Sequence, residues 1–218
     1  MNNLNIITTN DGSHSIYSSK FKESYHSKHG SIVESKHVFI NNGLLSINKK
    51  KIKILEIGFG TGLNALLTNY YCNNEKIKVD YHSIELYPLK TIFYNKLNFT
   101  KLIEISKSNF INLHEYKWNK THITNDYFTI TKHKIDAKEY QSKIKFDIIY
   151  FDAFSPEKQP ELWDIKIFKK MYQILNNNGF LVTYCAKGIV KRTMKDAGFN
   201  ITVLDGPPGK RQMTRANK

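Results

Sequence analysis

Apolar residues in this chain fall into short runs, and from Ile52 onward the runs alternate between a strand-like and a helix-like period. Ile52 to Ile57 (IKILEI) is β-branched, ends at a glycine cluster and predicts a buried parallel strand. Leu63 to Tyr71 carries apolar residues at helical spacing. Val79 to Glu85 predicts a second strand, and Pro88 suits the first turn of a following helix. Asp126 to Ile135 alternates apolar and polar positions as a third strand, and Phe146 to Phe151 (FDIIYF) is a fully apolar fourth that ends on Asp152. Residues 160 to 175 predict an amphipathic helix closed by Asn176 to Gly179, and Phe180 to Tyr184 a fifth strand. Ile189 to Ala197 predicts a helix stopped by Gly198, and Phe199 to Leu204 a sixth strand. The turn from Gly206 to Gly209 leads into a short last strand near Arg211 to Thr214.

This alternation predicts an α/β fold with an open, mostly parallel, seven-stranded sheet and helices on both faces. Residues 98 to 125 mix Phe, Trp and Lys without a clear period and predict a helix plus a long insertion. Before residue 46 the chain is polar and broken by Gly12, Gly30 and Gly43, with apolar groups only at Ile32-Val33 and Val38-Phe39-Ile40. The expected organisation is an N-terminal extension (1–45) packed on one α/β domain (46–218).

The 218 residues suffice for one such domain with a sizeable core. Cys72 and Cys185 have no CxxC spacing and sit in apolar surroundings, so they are read as reduced core thiols. No apolar run approaches the roughly 18 residues a membrane span needs, and Met1 to Asn10 lacks a signal-peptide pattern. A soluble, cytoplasmic protein is expected. His14, His29, His37 and His82 are too scattered for a metal site, and none is expected.

Net charge changes the picture. A formal +14 favours a polyanionic partner such as nucleic acid. Lys, Asn and Ile are abundant throughout, so compositional bias competes with that reading. The three arginines, Arg192, Arg211 and Arg215, weigh more: all lie near the C-terminus, beside Lys187, Lys191, Lys195 and Lys210. Arginine offers phosphate a planar, bidentate fork that lysine lacks.

Candidate chemistry begins at Glu56-Ile57-Gly58-Phe59-Gly60-Thr61-Gly62, between a predicted strand and a predicted helix. Glycines there let the backbone turn tightly and approach a ligand, with a helix N-terminus behind it. Dinucleotide-binding loops favour GxGxxG, but position 63 is Leu63. The ExGxGxG form instead resembles motif I of class I, Rossmann-like methyltransferases, which use S-adenosyl-L-methionine. Glu85 ends the second strand, where a carboxylate can accept both ribose hydroxyls of a nucleoside. Asp136 ends the third, where the same families place an acid near the adenine amine. Either alone reads equally well as a strand-end polar residue, but three strand ends in the required order favour the cofactor site.

Asp152-Ala153-Phe154-Ser155-Pro156 leaves the fourth strand at the edge where open α/β sheets hold their ligands. Such a segment suits methyl transfer to nitrogen. The acceptor amine, mostly protonated at neutral pH like lysine, must present a lone pair. Asp152 could orient it and take its proton directly or through water. Phe154 could stack on a base or wall off the methyl group, and Pro156 would stiffen the loop. The alternative makes Asp152 a loop cap and Phe154 a core residue.

Several segments together resemble one family. Gly58 to Asn64 (GFGTGLN) is similar to the loop of the MnmC-type methyltransferase domain. Tyr25-His26-Ser27 with Glu34 to Ile40 (ESKHVFI) resembles its N-terminal block, and Ser83 to Leu89 (SIELYPL) its second-strand motif. Asp152 to Pro156 followed by Pro160, Leu162 and Trp163 is similar to its D-G-F-A-P…N-P-x-(M/L)-W signature. Ala186 to Phe199 and Gly209 to Met213 resemble its C-terminal blocks. Ala153 replaces the more usual glycine, and His26 stands where an aromatic is common.

The resemblance implies S-adenosyl-L-methionine-dependent methylation of the aminomethyl group of 5-aminomethyl-2-thiouridine at the tRNA wobble position. It implies Glu56, Gly58, Gly60, Gly62, Asn64, Glu85, Asp136, Ala137 and Asp152 at the cofactor, and Asp152 with Phe154 at the chemistry. Tyr25, His26, Pro156, Lys187, Lys191, Arg192, Lys210 and Arg211 form the expected substrate and tRNA side. Bifunctional members carry a flavin-dependent oxidase domain for which this chain has no room, so the aminomethyl form is the expected substrate. Methylation of another amine, in a protein or small molecule, is the second reading. A non-catalytic nucleic-acid-binding module that kept the fold is the third. The sequence sets no oligomeric state; a monomer is compatible with it.

Overall fold

In the computed structural model, which describes residues 4–218, the chain begins with a three-stranded antiparallel sheet. Its strands are β1 (Leu4–Thr8), β2 (His14–Ser18) and β3 (Glu23–Ser24). The first three residues of the predicted extension lie outside the described residues. Helix α1 (Ser31–Ser35) then runs into a π-helical stretch, Lys36–Asn41. Val38, Phe39 and Ile40 of that stretch are buried in the same apolar cluster as Ile54 and Tyr150 of the main sheet.

The main body follows: β4 (Lys51–Ile57), α2 (Leu63–Asn74), β5 (Lys78–Ile84), α3 (Thr91–Tyr94), α4 (Phe99–Ile103) and α5 (Lys107–Glu115). After these come β6 (Thr121–Asn125), β7 (Phe128–His133), β8 (Phe146–Phe151), α6 (Ile165–Ile174) and β9 (Leu175–Thr183). The chain closes with α7 (Gly188–Asp196), β10 (Asn200–Asp205) and β11 (Gln212–Asn217).

The sheet is ordered β10-β11-β9-β8-β4-β5-β7-β6. Its five inner strands, from β9 to β7, are parallel, and the pairings outside them (β10–β11, β11–β9 and β7–β6) are antiparallel. It has eight strands rather than the predicted seven. The added strand is β6, which comes from the segment without a readable period. Its pattern is hidden because it is a solvated edge: Ile123 is 78% exposed. The predicted third strand is thus the second arm of a hairpin, starting at Phe128. The same unreadable segment folds as α4 and α5. Pro88 lies outside a helix, which starts only at Thr91; the backbone just before it, at Tyr87, donates to the Glu85 carboxyl. The predicted helix over 160–175 is a short turn at Pro160–Leu162 followed by α6, whose N-cap Asp164 accepts from the Lys166 N–H.

Alternate residues of the central strands face opposite layers. Ile54 and Ile148 pack with α2 and α5, whereas Leu55 and Ile149 pack with α6 and α7. That alternation explains why β8 is apolar apart from Asp147: both of its faces are covered, and Asp147 accepts from Lys49 and from the Lys53 N–H. The pairing register matters for function. Ile57 stands opposite both Ile84 and Phe151, and Ile84 opposite His133, so β4, β5, β7 and β8 end at one level. The chain runs outward from β4 to one side and from β8 to the other, which makes the β4–β8 junction the switch point where a crevice opens.

Candidate active site

The loop after β4 is shaped by its neighbour from β8. Gly58 has a φ of +95°, and a Cβ there would lie 2.6 Å from the Asp152 carbonyl oxygen. Only glycine fits, because the clash is with backbone. The Gly58 and Phe59 N–H groups both reach the Ile84 carbonyl. Gly62, with a φ of +74°, caps α2, and a side chain there would strike His114 and Phe59. The loop therefore rests on the ends of β5 and β8 with its outer edge free.

Carboxyl groups surround that edge. Glu85 Oε2 accepts the Gly60 N–H at 2.9 Å, and Oε1 accepts the Tyr87 N–H at 2.8 Å. Burial raises its pKa above the ordinary value, against the pull of these donors. Asp136 accepts the Lys138 N–H at 2.9 Å and pairs with that lysine's ammonium at 3.3 Å. Asp152 Oδ2 accepts from Asn64 Nδ2 at 2.8 Å. Burial and the nearby Glu34 push the Asp152 carboxyl up to about 7, although Asn64 and Lys210 pull the other way.

These groups line one cavity of about 630 Å³, well within the range of small-ligand sites. Gly58, Gly60, Asn64, Glu85, Asp136, Ala137, Asp152 and Phe154 all contribute to its wall. Glu56 and Gly62 do not. Glu56 is 0% exposed and lies behind the loop, accepting from Ser83 Oγ at 2.6 Å.

The wall opposite the sheet comes from the N-terminal segment. Phe21 stacks on Phe154 at 4.3 Å, and Tyr25 meets Phe154 edge-on at 5.0 Å. The loop from Asp152 to Pro156 is held from three sides. Trp163 Nε1 donates to the Phe154 carbonyl (2.7 Å), Tyr184 Oη donates to the Ala153 carbonyl (2.9 Å), and Ser155 donates twice to Glu23. Such an arrangement offers a nucleoside crevice along Glu85 and Asp136 and an aromatic box that ends on one carboxyl.

Residues 99–218 match the sequence profile of a family described as S-adenosyl-L-methionine-dependent methyltransferase. The chain belongs to this family. The methyltransferase is 28% identical over 215 residues to the tRNA 5-methylaminomethyl-2-thiouridine biosynthesis bifunctional protein MnmC of Ralstonia nicotianae. That match covers 92% of this chain but 32% of the Ralstonia protein, so the chain spans about a third of such relatives. It is also 27% identical over 217 residues to an uncharacterized protein of Methanocaldococcus jannaschii, covering 98% of this chain and 59% of that one. Among solved structures, MnmC2 from Aquifex aeolicus superposes with a TM-score of 0.80 at 24% identity, covering 99% of this chain and 70% of that one. Spermidine synthase from Thermotoga maritima has a TM-score of 0.62 at 16% identity, covering 100% and 70%. At these identities the structural likenesses establish the fold.

The cofactor of the methyltransferase is S-adenosyl-L-methionine, and the cavity suits it. At Gly60 a Cβ would come within 3.1 Å of the Tyr25 ring, so the missing side chain keeps a cradle open between loop and wall. The acids at the ends of β5 and β7 lie beside that cradle.

The remaining predicted residues of the methyltransferase divide into three groups. Tyr25, His26, Lys187 and Lys210 line the cavity. His26 is committed internally: Nε2 lies 2.6 Å from Thr61 Oγ1, and burial lowers its pKa to about 4. Lys210 is committed as well, paired with Glu34 Oε1 at 2.5 Å and set 4.0 Å above the Tyr184 ring. Lys187 pairs with Glu157 at the rim.

Pro156, Lys191, Arg192 and Arg211 lie outside the cavity lining, with Arg192 and Arg211 exposed. Arg215, which the charge pattern grouped with the phosphate-facing arginines, is withdrawn from that role: its guanidinium packs 3.8 Å over Phe180 and donates to the Asn42 carbonyl. Glu23, Phe21 and Tyr184 were missed. Tyr184 is the last residue of the predicted fifth strand and could have been found there, but nothing in the sequence signals Glu23 or Phe21.

Proposed function

We propose that this methyltransferase transfers a methyl group to the primary amine of 5-aminomethyl-(2-thio)uridine at the wobble position of tRNA. The observation that carries the proposal is Asp152: a carboxyl with a pKa near neutrality, oriented by Asn64 and facing an aromatic box. The similarity to MnmC proteins of tRNA 5-methylaminomethyl-2-thiouridine biosynthesis, over 92% of this chain for the Ralstonia protein, supplies the substrate class. A tRNA substrate supports a cytoplasmic location.

Glu85 would hold the ribose hydroxyls, Asp136 and Ala137 the adenine edge, and Gly58 to Asn64 the remainder of the cofactor. S-adenosyl-L-methionine supplies an electrophilic methyl group on a sulfonium. Phe154, Phe21 and Tyr25 would clamp the uracil ring so that its aminomethyl nitrogen is held toward the cofactor pocket. An alkyl amine is mostly protonated at neutral pH. Asp152 takes the ammonium proton directly or through water and frees the lone pair. The freed nitrogen would take the methyl group that the bound cofactor supplies, the sulfonium leaving as a neutral thioether, and would then release a second proton. Arg192, Arg211 and Lys191 would meet the tRNA backbone outside the cavity.

Mass spectrometry of wobble nucleosides from a strain lacking the gene tests the proposal. Accumulated 5-aminomethyl-2-thiouridine with loss of its methylated form is expected. An unchanged methylaminomethyl level overturns the proposal.

A further inference from the structure

We propose that Glu56 stands in this site as a neutral carboxylic acid that fixes the Asn64 amide, and through it Asp152, making it a positioning residue rather than a cofactor ligand. The inference rests on the reading of Asp152 as the proton acceptor. Three observations carry it.

The first is isolation from positive charge. Glu56 is 0% exposed, opposite Ser83 of β5 and Tyr150 of β8 in the sheet register. Among the described residues it makes no ion pair. The titratable groups that bear on it are Tyr81 from β5, Tyr150 from β8 and Asp152 beyond β8, none of them cationic. Burying a carboxylate without a partner is costly, and such groups take up a proton instead.

The second is its like-charged neighbour. Asn64 lies between the two carboxyls, donating to Asp152 Oδ2 at 2.8 Å while also approaching Glu56. Two carboxylates coupled across one amide in a buried site do not both ionise readily. Asp152 faces the cavity and Glu56 does not, so the charge belongs on Asp152. Burial first, and then the Asp152 charge, bring Glu56 up to about 8, against the pull of Ser83, Asn64 and Tyr81.

The third is hydrogen-bond accounting. Among the described residues, Glu56 Oε1, Asn64 Oδ1 and Tyr81 Oη are buried with no hydrogen-bond partner, although Asn64 and Tyr81 both approach the carboxyl. An ionised Glu56 has nothing to donate to the Asn64 oxygen, whereas the acid form has one O–H. With that donor, the amide is fixed with its oxygen toward Glu56 and its nitrogen toward Asp152. Ser83, Glu56, Asn64 and Asp152 then form one chain that ends on the reacting carboxyl.

The test compares wild type with Glu56→Gln, which keeps an uncharged group able to accept from Ser83 and donate to Asn64. Infrared spectra of the protein alone, with and without isotope label at the glutamate carboxyls, should show a protonated-acid carbonyl band at neutral pH that E56Q lacks. E56Q should keep the wild-type pH–rate profile and cofactor affinity. Glu56→Leu, which removes the donor, should lower kcat by about 10- to 100-fold and move the acidic limb of that profile upward. A wild-type spectrum without the band overturns the proposal, as does an E56Q that binds the cofactor as poorly as a cavity-lining variant such as E85A. The infrared reading needs no methyl acceptor, so failure of the wobble-uridine assignment leaves it decisive.

Discussion

Glu23 Oε2 accepts two hydrogen bonds from Ser155, one from its backbone N–H and one from its hydroxyl, each at 3.0 Å. This joins β3 of the N-terminal sheet to the loop that carries Asp152 and Phe154. The Phe21–Phe154 stack joins the same two segments. Removing the carboxylate leaves the Ser155 N–H without its acceptor. Glu23→Ala should cost about 1 kcal/mol of stability, since the site is only half-buried. It should raise KM for the methyl acceptor or lower kcat while leaving cofactor affinity unchanged. Thermal melts, calorimetry with the cofactor and steady-state kinetics check this; unaltered acceptor kinetics would remove the N-terminal sheet from the site.

Asp152 and Glu85 should separate catalysis from binding. Asp152→Ala should lower kcat by about 10²- to 10⁴-fold, the range for a lost general base, with little change in cofactor affinity. In the wild type the rate should rise along a limb centred near pH 7, where this carboxyl ionises. Glu85→Ala should do the reverse, weakening the cofactor far more than it slows saturated turnover. Equal loss of both properties in the two variants would show that the roles are misassigned.

Strand ends were the legible part of the site because they follow from pattern alone. β8 is covered on both faces and β4 over its last four residues, so both read as largely apolar strands, and the residues just beyond them are placed by the sheet. Gly58, Gly60, Asn64, Glu85, Asp136 and Asp152 meet in one cavity for that reason. Glu56 also sits at a strand end, but its side chain points behind the loop, and the spacing of the motif does not carry that direction. Glu23 and Phe21 were invisible since their approach to Ser155 and Phe154 is purely tertiary. The α4–α5–β6 segment failed for a different reason. Its elements are short and partly solvated, so no period builds up before each one ends.

Stability should fall at both ends of the pH range, for identifiable reasons. The folded Glu56 pKa lies at about 8 against an ordinary 4.5. The folded state therefore binds this proton more tightly, and its contribution is complete below about pH 4.5 and lost as pH rises through 8. His26 and His114 act oppositely, since burial lowers them from 6.5 to about 4 and about 3. Their contribution is present above pH 6.5 and lost as pH falls. Each group contributes a slope of up to about 1.4 kcal/mol per pH unit across its window. Denaturant titrations should show E56Q flattening only the alkaline side and His114→Gln only the acidic side. Parallel curves for wild type and both variants would contradict these assignments.

Arg211 is exposed at the base of the β10–β11 turn, where its carbonyl accepts the Gly206 N–H, and lies outside the cavity lining. Arg211→Ala should weaken tRNA binding, reduce its salt dependence by about one ion equivalent and spare the cofactor. Arg215→Ala should instead reduce stability, because that guanidinium is packed on Phe180. Filter binding across a salt series separates the two, and an unchanged tRNA affinity in the Arg211 variant would remove this turn from the interface.

The most direct measurement is methyl transfer from labelled S-adenosyl-L-methionine to bulk tRNA, using tRNA from cells that lack this gene beside tRNA from the parent strain. Labelling of the deficient tRNA alone, mapping to the wobble uridine and abolished by Asp152→Ala, is the predicted result. Intact cofactor binding with no label in either tRNA would contradict the assignment and move the search to protein and small-molecule amines.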